Sequence, residues 1–362
     1  MIVGLPRETA TGERRVALTP ADVENLAAQG LSAVVETGAG HHADFTDAAY
    51  RNAGARIVPD APAVYTAADV IAWVKPPAYE LNSMPLRPGQ VLYGFQDPVY
   101  RADRIARLRE RGVESIAFEL FPTGSVSASA DLCRERASVA DDLPCIGLQL
   151  GKPRVRSALH VGLSNGGVGA GWDPLSAMSR IAGEVAYGEG RALLAAQVRA
   201  GRVRPLVLGC GQAGRAAVAA AVAAGDEPPV VIGNRAEQEA VARALGAGGF
   251  LVNPGPAALA ETIADIAPDL VVCAAGRGRR APVLLDAAGL GALAAGAVVV
   301  DLTAKAGGNT VATVANATVA WGHGVVVTHR SNYPAARPRA ASLAYGAATA
   351  AVILRSLSVS VE

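Results

Sequence analysis

Short apolar runs alternate with segments of helical periodicity along the first third of the chain. Such runs are typical of strands that a parallel sheet buries on both faces. They predict strands at "MIVGLP", "SAVVETGAG", "DVIAWVKPP", "QVLYGFQDP" and "ESIAFELFP". A helix is predicted to start at Thr19, because a threonine N-cap is followed by a proline and then an acid in the first turn. Residues 1 to about 122 are therefore expected to form one α/β unit.

The alternation stops between residues 123 and 172, where the sequence is polar or rich in glycine. This segment predicts an inserted excursion of loops and short elements. It could serve as a lid or a subunit contact, and a surface elaboration without chemistry is the favoured interpretation.

A second alternation follows a long helix that is predicted from Pro174. Its strands are expected at "RPLVLGC", "PPVVIGN", "GFLVN", "DLVVCAA", "GAVVVDLT" and "GVVVTH", with helices between most of them. This order predicts a doubly wound sheet with a nucleotide site at the carboxyl ends of its strands. The chain ends in a predicted helix, "RAASLAYGAATAAVILRSL", which is expected to pack on the first domain.

The predicted fold class is therefore α/β, with two Rossmann-like doubly wound domains, long linking helices and a cleft between the domains. Residues 1–172 together with 331–362 are expected to form a substrate domain. Residues 173–330 are expected to form a dinucleotide-binding domain. A chain of 362 residues also exceeds what one hydrophobic core usually supports, which favours two domains.

Charge and composition exclude several classes of partner. Acidic and basic residues nearly balance at a net charge of +1, and they are interspersed, so a nucleic-acid partner has no electrostatic support. The N-terminus does not resemble a signal peptide, and no run of eighteen strongly apolar residues occurs. We therefore expect a cytoplasmic protein without a membrane partner. The four cysteines and five histidines show no metal-ligand spacing, so reduced thiols and no metal site are expected.

The basic residues are strongly biased toward arginine. Only three lysines occur, Lys75, Lys152 and Lys305, against thirty arginines. Arginine does not readily lose its proton in a protein, whereas a lysine can. Each lysine is therefore a candidate for chemistry that needs a titrating amine, although chance retention explains any one of them equally well.

The stretch "LGCGQAG" has the G-x-G-x-x-G spacing of a dinucleotide-binding turn, with Gly209, Gly211 and Gly214. In such a turn the first glycine permits a tight bend, the second lets a pyrophosphate approach the backbone, and the third lets the helix pack on the strand. Gln212 and Ala213 complete the predicted cradle at the helix N-terminus. The preceding strand and the following alanine-rich helix supply the context that the motif needs.

The end of the next strand predicts which nucleotide binds. Sites selective for NAD usually place an acid there for the ribose hydroxyls, but this chain has Asn234 and Arg235. An amide and a guanidinium suit the 2′-phosphate, so NADP(H) is expected in preference to NAD(H). The alternative is that Arg235 stacks on adenine or faces solvent.

Several motifs together resemble one family, that of alanine dehydrogenase and nicotinamide nucleotide transhydrogenase. The resemblance covers nearly the whole chain except 123–172. It is carried, in order, by "VGLPRETATGERRVALTPADVENLAAQGLSAVVETGAG", "VKPP", "LSAMSRIAGEVA", "DLVVCAAGRGRRAPVLL", "VVVDLTAKAGGN" and "SNYPAARPRAASLAYG".

The resemblance implies roles for individual residues. Arg15, just before "VALTP", would bind the substrate carboxylate, although it could be an ordinary surface arginine. Lys75, in the "VK-P" motif, would contact the substrate carbonyl or imine. Ser179 would lie near the nicotinamide, and Asn332 near the substrate. Ala275 and Asp301 would be further contacts to the cofactor.

Two positions depart from the family pattern. The position of the family's acid/base histidine is held by Asp97 in "GFQDP". Asp97 could take the proton role if burial raised its pKa, or it could bind the substrate's amine. Lys305 stands where the family has a carboxylate, which would favour an additional negative charge on the substrate. Simple alanine–pyruvate interconversion is therefore not expected.

These observations favour an NADP-dependent oxidoreductase of the amino-acid dehydrogenase type. Hydride would pass between the nicotinamide and a carboxylate-bearing 2-oxo acid, imine or amino acid, in a protein expected to be a homo-oligomer. One alternative is a transhydrogenase-like nucleotide-binding subunit. Another is a nucleotide-binding sensor that has lost the chemistry.

Overall fold

The computed structural model describes residues 1–121, 173–276 and 280–358. The predicted excursion at 123–172, with Cys133, Cys145, Lys152 and His160, lies outside the described residues. The chain divides into two compact units. The first unit comprises Met1–Met178 and Arg337–Glu362, and the second comprises Ser179–Ala336. Each junction lies a few residues later than the sequence predicts.

The first unit contains a six-stranded sheet in the order β3-β2-β1-β4-β5-β6, and all its strand pairs are parallel. Because the chain winds outward in both directions from β1 and β4, the carboxyl ends of these two strands flank the topological switch point, where such sheets bind ligands. The strands are β1 (Ile2–Leu5), β2 (Ser32–Glu36), β3 (Arg56–Val58), β4 (Val70–Ala72), β5 (Val91–Gly94) and β6 (Glu114–Ala117).

Helices cover this sheet and bury its apolar strands. The start of the first helix follows the prediction, since the Asp22 carboxylate accepts hydrogen bonds from both the amide and the hydroxyl of Thr19. Trp73 and Tyr65 belong to the hydrophobic core of this unit and are almost fully buried. The helices of this unit are α1 (Pro20–Ala28), α2 (Asp47–Asn52), α3 (Ala61–Ala67), α4 (Ala102–Glu110), the first turn of α5 (Pro174–Leu193) and the C-terminal α11 (Pro338–Ser358).

The second unit contains a seven-stranded sheet in the order β12-β13-β11-β10-β7-β8-β9. All its strand pairs are parallel except β12 with β13, so its switch point lies between β7 and β10. The strands are β7 (Pro205–Leu208), β8 (Val230–Gly233), β9 (Gly249–Val252), β10 (Leu270–Cys273), β11 (Val298–Asp301), β12 (Thr318–Trp321) and β13 (Val325–Thr328). Its further helices are α6 (Ala196–Ala200), α7 (Gln212–Ala223), α8 (Gln238–Ala244), α9 (Pro256–Ile266) and α10 (Ala287–Gly291).

Both units are doubly wound α/β folds, which confirms the predicted α/β class with two such domains. The sequence pattern missed β3 and β12. The first has three residues, and the second is an antiparallel edge strand with alternating exposure, so neither produces a continuous apolar run. The long helix predicted from Pro174 is divided into α5 and α6, with a break at Leu194 and Ala195.

The C-terminal helix α11 belongs to the first unit, as expected from the sequence. The Tyr345 hydroxyl donates to the Trp73 carbonyl at 2.8 Å, and the Ser342 hydroxyl accepts from the Val16 amide at 3.0 Å. Residues 338–357 have the length and the mean hydropathy, 1.3, of a membrane span, and half of this stretch is buried within the fold. Core helices pass the same test, so the hydropathy is weak evidence for a membrane span.

Candidate functional site

The glycine turn after β7 combines two closely packed glycines with one open glycine. A Cβ on Gly209, whose φ is 109°, would lie 2.6 Å from the carbonyl of Ala274. A Cβ on Gly214 would lie 1.7 Å from the carbonyl oxygen of Gly209. A Cβ on Gly211 would meet no atom of the described part of the chain within 4 Å. The absence of a side chain at Gly209 lets the turn approach the end of β10, and its absence at Gly214 lets α7 approach the turn. The space beside the backbone of Gly211 is open, as a pyrophosphate site requires.

Helix α5 supports this turn from within the second unit. A Cβ on Gly183 of α5 would lie 2.0 Å from the carbonyl oxygen of Ala213, so the two backbones are in direct contact. Gln212 and Ala213, the two predicted cradle residues between Gly211 and Gly214, form the first turn of α7. Their amides therefore belong to a helix N-terminus, which favours anions.

The loop after β8 presents the two residues that were predicted to select the nucleotide. Asn234 and Arg235 are exposed. The side-chain oxygen of buried Gln238 accepts hydrogen bonds from the Asn234 amide at 3.0 Å and from the Arg235 amide at 3.3 Å. The loop backbone is therefore fixed while both side chains face solvent.

A buried amide organises the loops after β10 and β11. Asn309 is fully buried; its side-chain oxygen accepts from the Ala275 amide at 3.0 Å, and its nitrogen donates to the carbonyls of Ala275 and Pro282, each at 2.7 Å. The backbone N–H of Asn309 donates to the Asp301 carboxylate at 2.6 Å. The predicted cofactor residues Ala275 and Asp301 thus lie in one hydrogen-bond network.

Asp301 itself is fully buried and acts as an anchor for its loop. Its carboxylate also accepts hydrogen bonds from the amide and hydroxyl of Thr303 and from the hydroxyl of Thr313. An inward carboxylate with this many donors stabilises the loop rather than facing a ligand directly. Lys305 lies on the same loop and is exposed.

The other two residues carried over from the family lie near the ends of the second unit. Ser179 is half-buried on α5. Asn332 is half-buried in the turn after β13, with a φ of 64° that asparagine tolerates better than most residues.

In the first unit, Glu8 connects the carboxyl ends of the two strands at the switch point. Its carboxylate accepts hydrogen bonds from the Val74 amide at 2.6 Å and from the Lys75 amide at 3.0 Å. Burial, and then the negative charge of Glu13, raise the pKa of Glu8 to about 8, against the opposing effect of the two amides and of Arg15. Glu8 therefore holds Lys75 by its backbone in an environment that disfavours the charged carboxylate.

Arg15 is buried and forms an ion pair with Glu13. The guanidinium donates to both carboxylate oxygens of Glu13, from Nε at 2.7 Å and from Nη2 at 2.5 Å. Its Nη1 donates to the sulfur of Met178 at 2.9 Å. A carboxylate thus already occupies one edge of the guanidinium that was predicted to bind the substrate carboxylate.

Asp97 is held in a similar way to Lys75. It follows β5 with a φ of 55°, and its amide donates to the Glu119 carboxylate at 2.7 Å. The amide of Gln96 donates to the same carboxylate at 3.1 Å. Burial raises the pKa of Glu119, and the adjacent negative charge of Asp97 adds to this effect, while three backbone hydrogen bonds oppose it.

The buried ring of Tyr345 shows that these charged groups share one region of the first unit. Burial raises the pKa of Tyr345 well above its ordinary value. The charges of Glu8, Arg15, Glu119 and Glu13 all act on the same hydroxyl. The electrostatic environment of Tyr345 thus includes Arg15 and the carboxylates that hold Lys75 and Asp97.

The residues that position the predicted site were not found in the sequence. Each forms a hydrogen bond with the backbone of a predicted residue, and Glu13 also pairs with the guanidinium of Arg15, so no motif spacing signals them. They are Glu8, Glu13, Glu119, Gln238 and Asn309. Among the described residues, no group of three or more His, Cys, Asp or Glu side chains is arranged to hold a metal ion.

Two family models match the chain in succession. The alanine dehydrogenase/PNT N-terminal domain matches residues 4–140, and the alanine dehydrogenase/PNT C-terminal domain matches residues 183–360. The chain belongs to the alanine dehydrogenase/PNT family. The resemblance found in the sequence is thus confirmed, and the family consists of oxidoreductases.

Individual relatives of this family member come from both branches. The NAD(P) transhydrogenase subunit alpha of Cereibacter sphaeroides is 29% identical over 95% of this chain and 63% of that subunit. The alanine dehydrogenase of Bacillus subtilis (strain 168) is 37% identical over 34% of this chain and 32% of that enzyme. The transhydrogenase structure from Sinorhizobium meliloti is 27% identical with a TM-score of 0.76, covering 99% of this chain and 94% of that one. The chain matches less than two thirds of the length of these curated relatives.

Proposed function

We propose that this chain is an NADP(H)-dependent oxidoreductase of the amino-acid dehydrogenase type. Its substrate is a carboxylate-bearing 2-oxo acid, imine or amino acid other than pyruvate or alanine. The observation that supports this most lies in the first unit, where Glu8 holds the backbone of Lys75 and the charges of Glu13 and Arg15 act on the Glu8 carboxyl. The connected residues supply a guanidinium suited to a carboxylate and an amine suited to a carbonyl.

The second unit holds the nucleotide in this proposal. The turn from Gly209 to Gly214 fits a pyrophosphate, because Gly211 leaves open space beside the first turn of α7. When bound, the nicotinamide supplies or accepts the hydride. The exposed Asn234 and Arg235 suit a 2′-phosphate, which supports NADP(H) over NAD(H).

Arg15 binds the carboxylate of the substrate in the first unit. Nη1 of Arg15 contacts the Met178 sulfur, which is a weak acceptor. A guanidinium binds a carboxylate through charge-assisted hydrogen bonds. Glu13 meanwhile keeps the opposite edge of the guanidinium oriented.

Lys75 polarises the carbonyl or imine of the substrate and can move a proton. It is half-buried and follows the carboxyl end of β4. Asp97 assists either as acid/base, in place of the family histidine, or as the anchor of the substrate's amine. Exposed Lys305 supports a substrate with an additional negative charge.

A substrate panel tests this proposal. Oxidation of primary, dicarboxylic and secondary amino acids would be assayed with NADP⁺ and with NAD⁺, together with reduction of the matching 2-oxo acids with and without ammonium. We expect turnover of a substrate larger or more acidic than alanine, faster with the phosphorylated nucleotide. Absence of both oxidation and reduction for every compound in the panel would overturn the dehydrogenase assignment.

A second candidate is a transhydrogenase-like subunit that passes hydride to a nucleotide on another protein. It is favoured by the match to the transhydrogenase subunit alpha, which covers 95% of this chain. This function needs no carboxylate substrate, so reduction of a nicotinamide nucleotide analogue by a bound reduced nucleotide, together with a partner subunit, would support it. A nucleotide-binding sensor would show affinity without turnover in either assay.

A further inference from the structure

A second arginine lies beside the loop that carries Asn234 and Arg235. Arg215 is half-buried in the first turn of α7, and its Nε donates to the carbonyl of Cys210 at 3.1 Å. Among the residues that the structure describes, no carboxylate forms an ion pair with Arg215 or Arg235. Both guanidinium groups therefore retain donors for an external anion.

A short chain of contacts connects the two arginines. Cys210 lies in the glycine turn after β7, and its thiol contacts the carbonyl of Gln238 at 3.8 Å. The side-chain oxygen of Gln238 accepts from the Arg235 amide at 3.3 Å. Since β7 and β8 are paired neighbours, Arg215 and Arg235 approach the same corner of the second unit, at the carboxyl ends of these strands.

The two side chains differ in how they are held. Arg215 is fixed at Nε, so its two Nη groups are oriented before a ligand arrives, which reduces the entropy lost on binding. Among the described residues, Arg235 is held through its backbone amide, and its side chain can adjust to the ligand. One pre-oriented guanidinium and one adjustable guanidinium suit a phosphate dianion, which offers three acceptor oxygens.

We propose that Arg215 and Arg235 together bind the 2′-phosphate of NADP(H), and that Arg215 is a specificity-determining residue. This inference rests on the nucleotide-binding part of the proposed function and adds a second cation to it. The competing role for Arg215 is purely structural, since its hydrogen bond to Cys210 also stabilises the glycine turn.

The two roles differ in which nucleotide they affect. A structural role supports the turn for every dinucleotide, so its loss weakens NADPH and NADH equally. A 2′-phosphate contact exists only with NADPH, so its loss changes the ratio of the two affinities. The ratio therefore separates the two roles without any need for a known substrate.

The experiment measures the dissociation constants of NADPH and NADH by titration calorimetry for the wild type, Arg215→Met, Arg235→Met and the double variant. Adenosine 2′,5′-bisphosphate and ADP are titrated in parallel, because they test the adenosine end alone. Arg215→Lys tests whether charge suffices without the planar fork. Arg204→Met is the matched control, since Arg204 pairs with Asp269 at the amino end of β7.

We expect the wild type to bind NADPH at least tenfold more tightly than NADH. Arg215→Met and Arg235→Met should each weaken NADPH at least tenfold, with NADH within about twofold and Arg204→Met near the wild type. Arg215→Lys should recover part of the NADPH affinity. Equal losses for both nucleotides in Arg215→Met would overturn the role of Arg215 alone. Equal affinities in the wild type would overturn both this inference and the proposed NADP(H) preference.

Discussion

The carboxylate of Glu8 holds the backbone of Lys75 across the switch point of the first unit. One oxygen accepts from the Val74 amide at 2.6 Å and the other from the Lys75 amide at 3.0 Å. The same carboxyl has a pKa raised to about 8, first by burial and then by Glu13. The position of Lys75 is thus coupled to the protonation of a neighbouring acid.

Replacing Glu8 by glutamine should change how stability depends on pH. The folded-state pKa of Glu8 lies above its ordinary value of 4.5, so the folded protein binds more protons than the unfolded chain between pH 4.5 and about 8. The contribution of Glu8 to stability is therefore complete below pH 4.5 and is lost as the pH rises through about 8. Glu8→Gln cannot titrate, so its stability relative to the wild type should rise progressively across this window, from a starting point lowered by the one backbone hydrogen bond that its NH2 group cannot accept.

Thermal unfolding of Glu8→Gln and the wild type from acidic to alkaline pH measures this difference. The exposed Glu24→Gln in α1 serves as the control and should show a constant difference from the wild type. A constant difference for Glu8→Gln as well would contradict the raised pKa.

Two glycines of the nucleotide turn should respond in opposite ways to alanine. In Gly214→Ala the new Cβ would lie 1.7 Å from the carbonyl of Gly209, so the backbone must move and stability should fall by about 3 kcal/mol or more. In Gly211→Ala the Cβ has no neighbour within 4 Å among the described residues, so stability should stay within about 0.5 kcal/mol while the methyl blocks the pyrophosphate. Denaturant unfolding and nucleotide titration measure both effects. A Gly211→Ala variant with wild-type nucleotide affinity would exclude this turn as the pyrophosphate site.

Loss of the Asn309 side chain should loosen the loop that carries Ala275. Asn309→Ala removes three hydrogen bonds at a fully buried position, so we expect a loss of about 2–4 kcal/mol and weaker nucleotide binding. Denaturant unfolding measures the first effect and calorimetry the second. Asn52→Ala, at an exposed position at the end of α2, should change neither. Unchanged nucleotide affinity in a destabilised Asn309→Ala would separate this loop from the nucleotide site.

The sequence predicted the features that depend on neighbouring residues. The buried strands produce continuous apolar runs, and the glycine turn has a fixed spacing, so both are visible locally. The residues that hold the site could not be predicted, because their partners are distant in sequence. Glu8 lies 67 residues from Lys75, and Asn309 lies 34 residues from Ala275. Only the folded sheet brings such pairs together at neighbouring strand ends.

The ion pair between Arg15 and Glu13 could not be predicted either, although the two residues are close in sequence. Glu13 is only two residues away, and the sequence nevertheless gave no sign of the ion pair between them. Two charged residues at this spacing in a loop have no preferred geometry, unlike a pair on one face of a helix. Burial of both side chains, to 1% and 0% exposure, creates the pair.

The role of Lys75 is the most direct test of the account, once the substrate panel has identified a substrate. We compare turnover and NADPH affinity in Lys75→Met and the wild type, with Arg51→Met, at an exposed position of α2, as the control for loss of a cation. The account predicts that Lys75→Met loses at least a hundredfold in kcat while the dissociation constant of NADPH stays within about twofold. Wild-type turnover in Lys75→Met would contradict it.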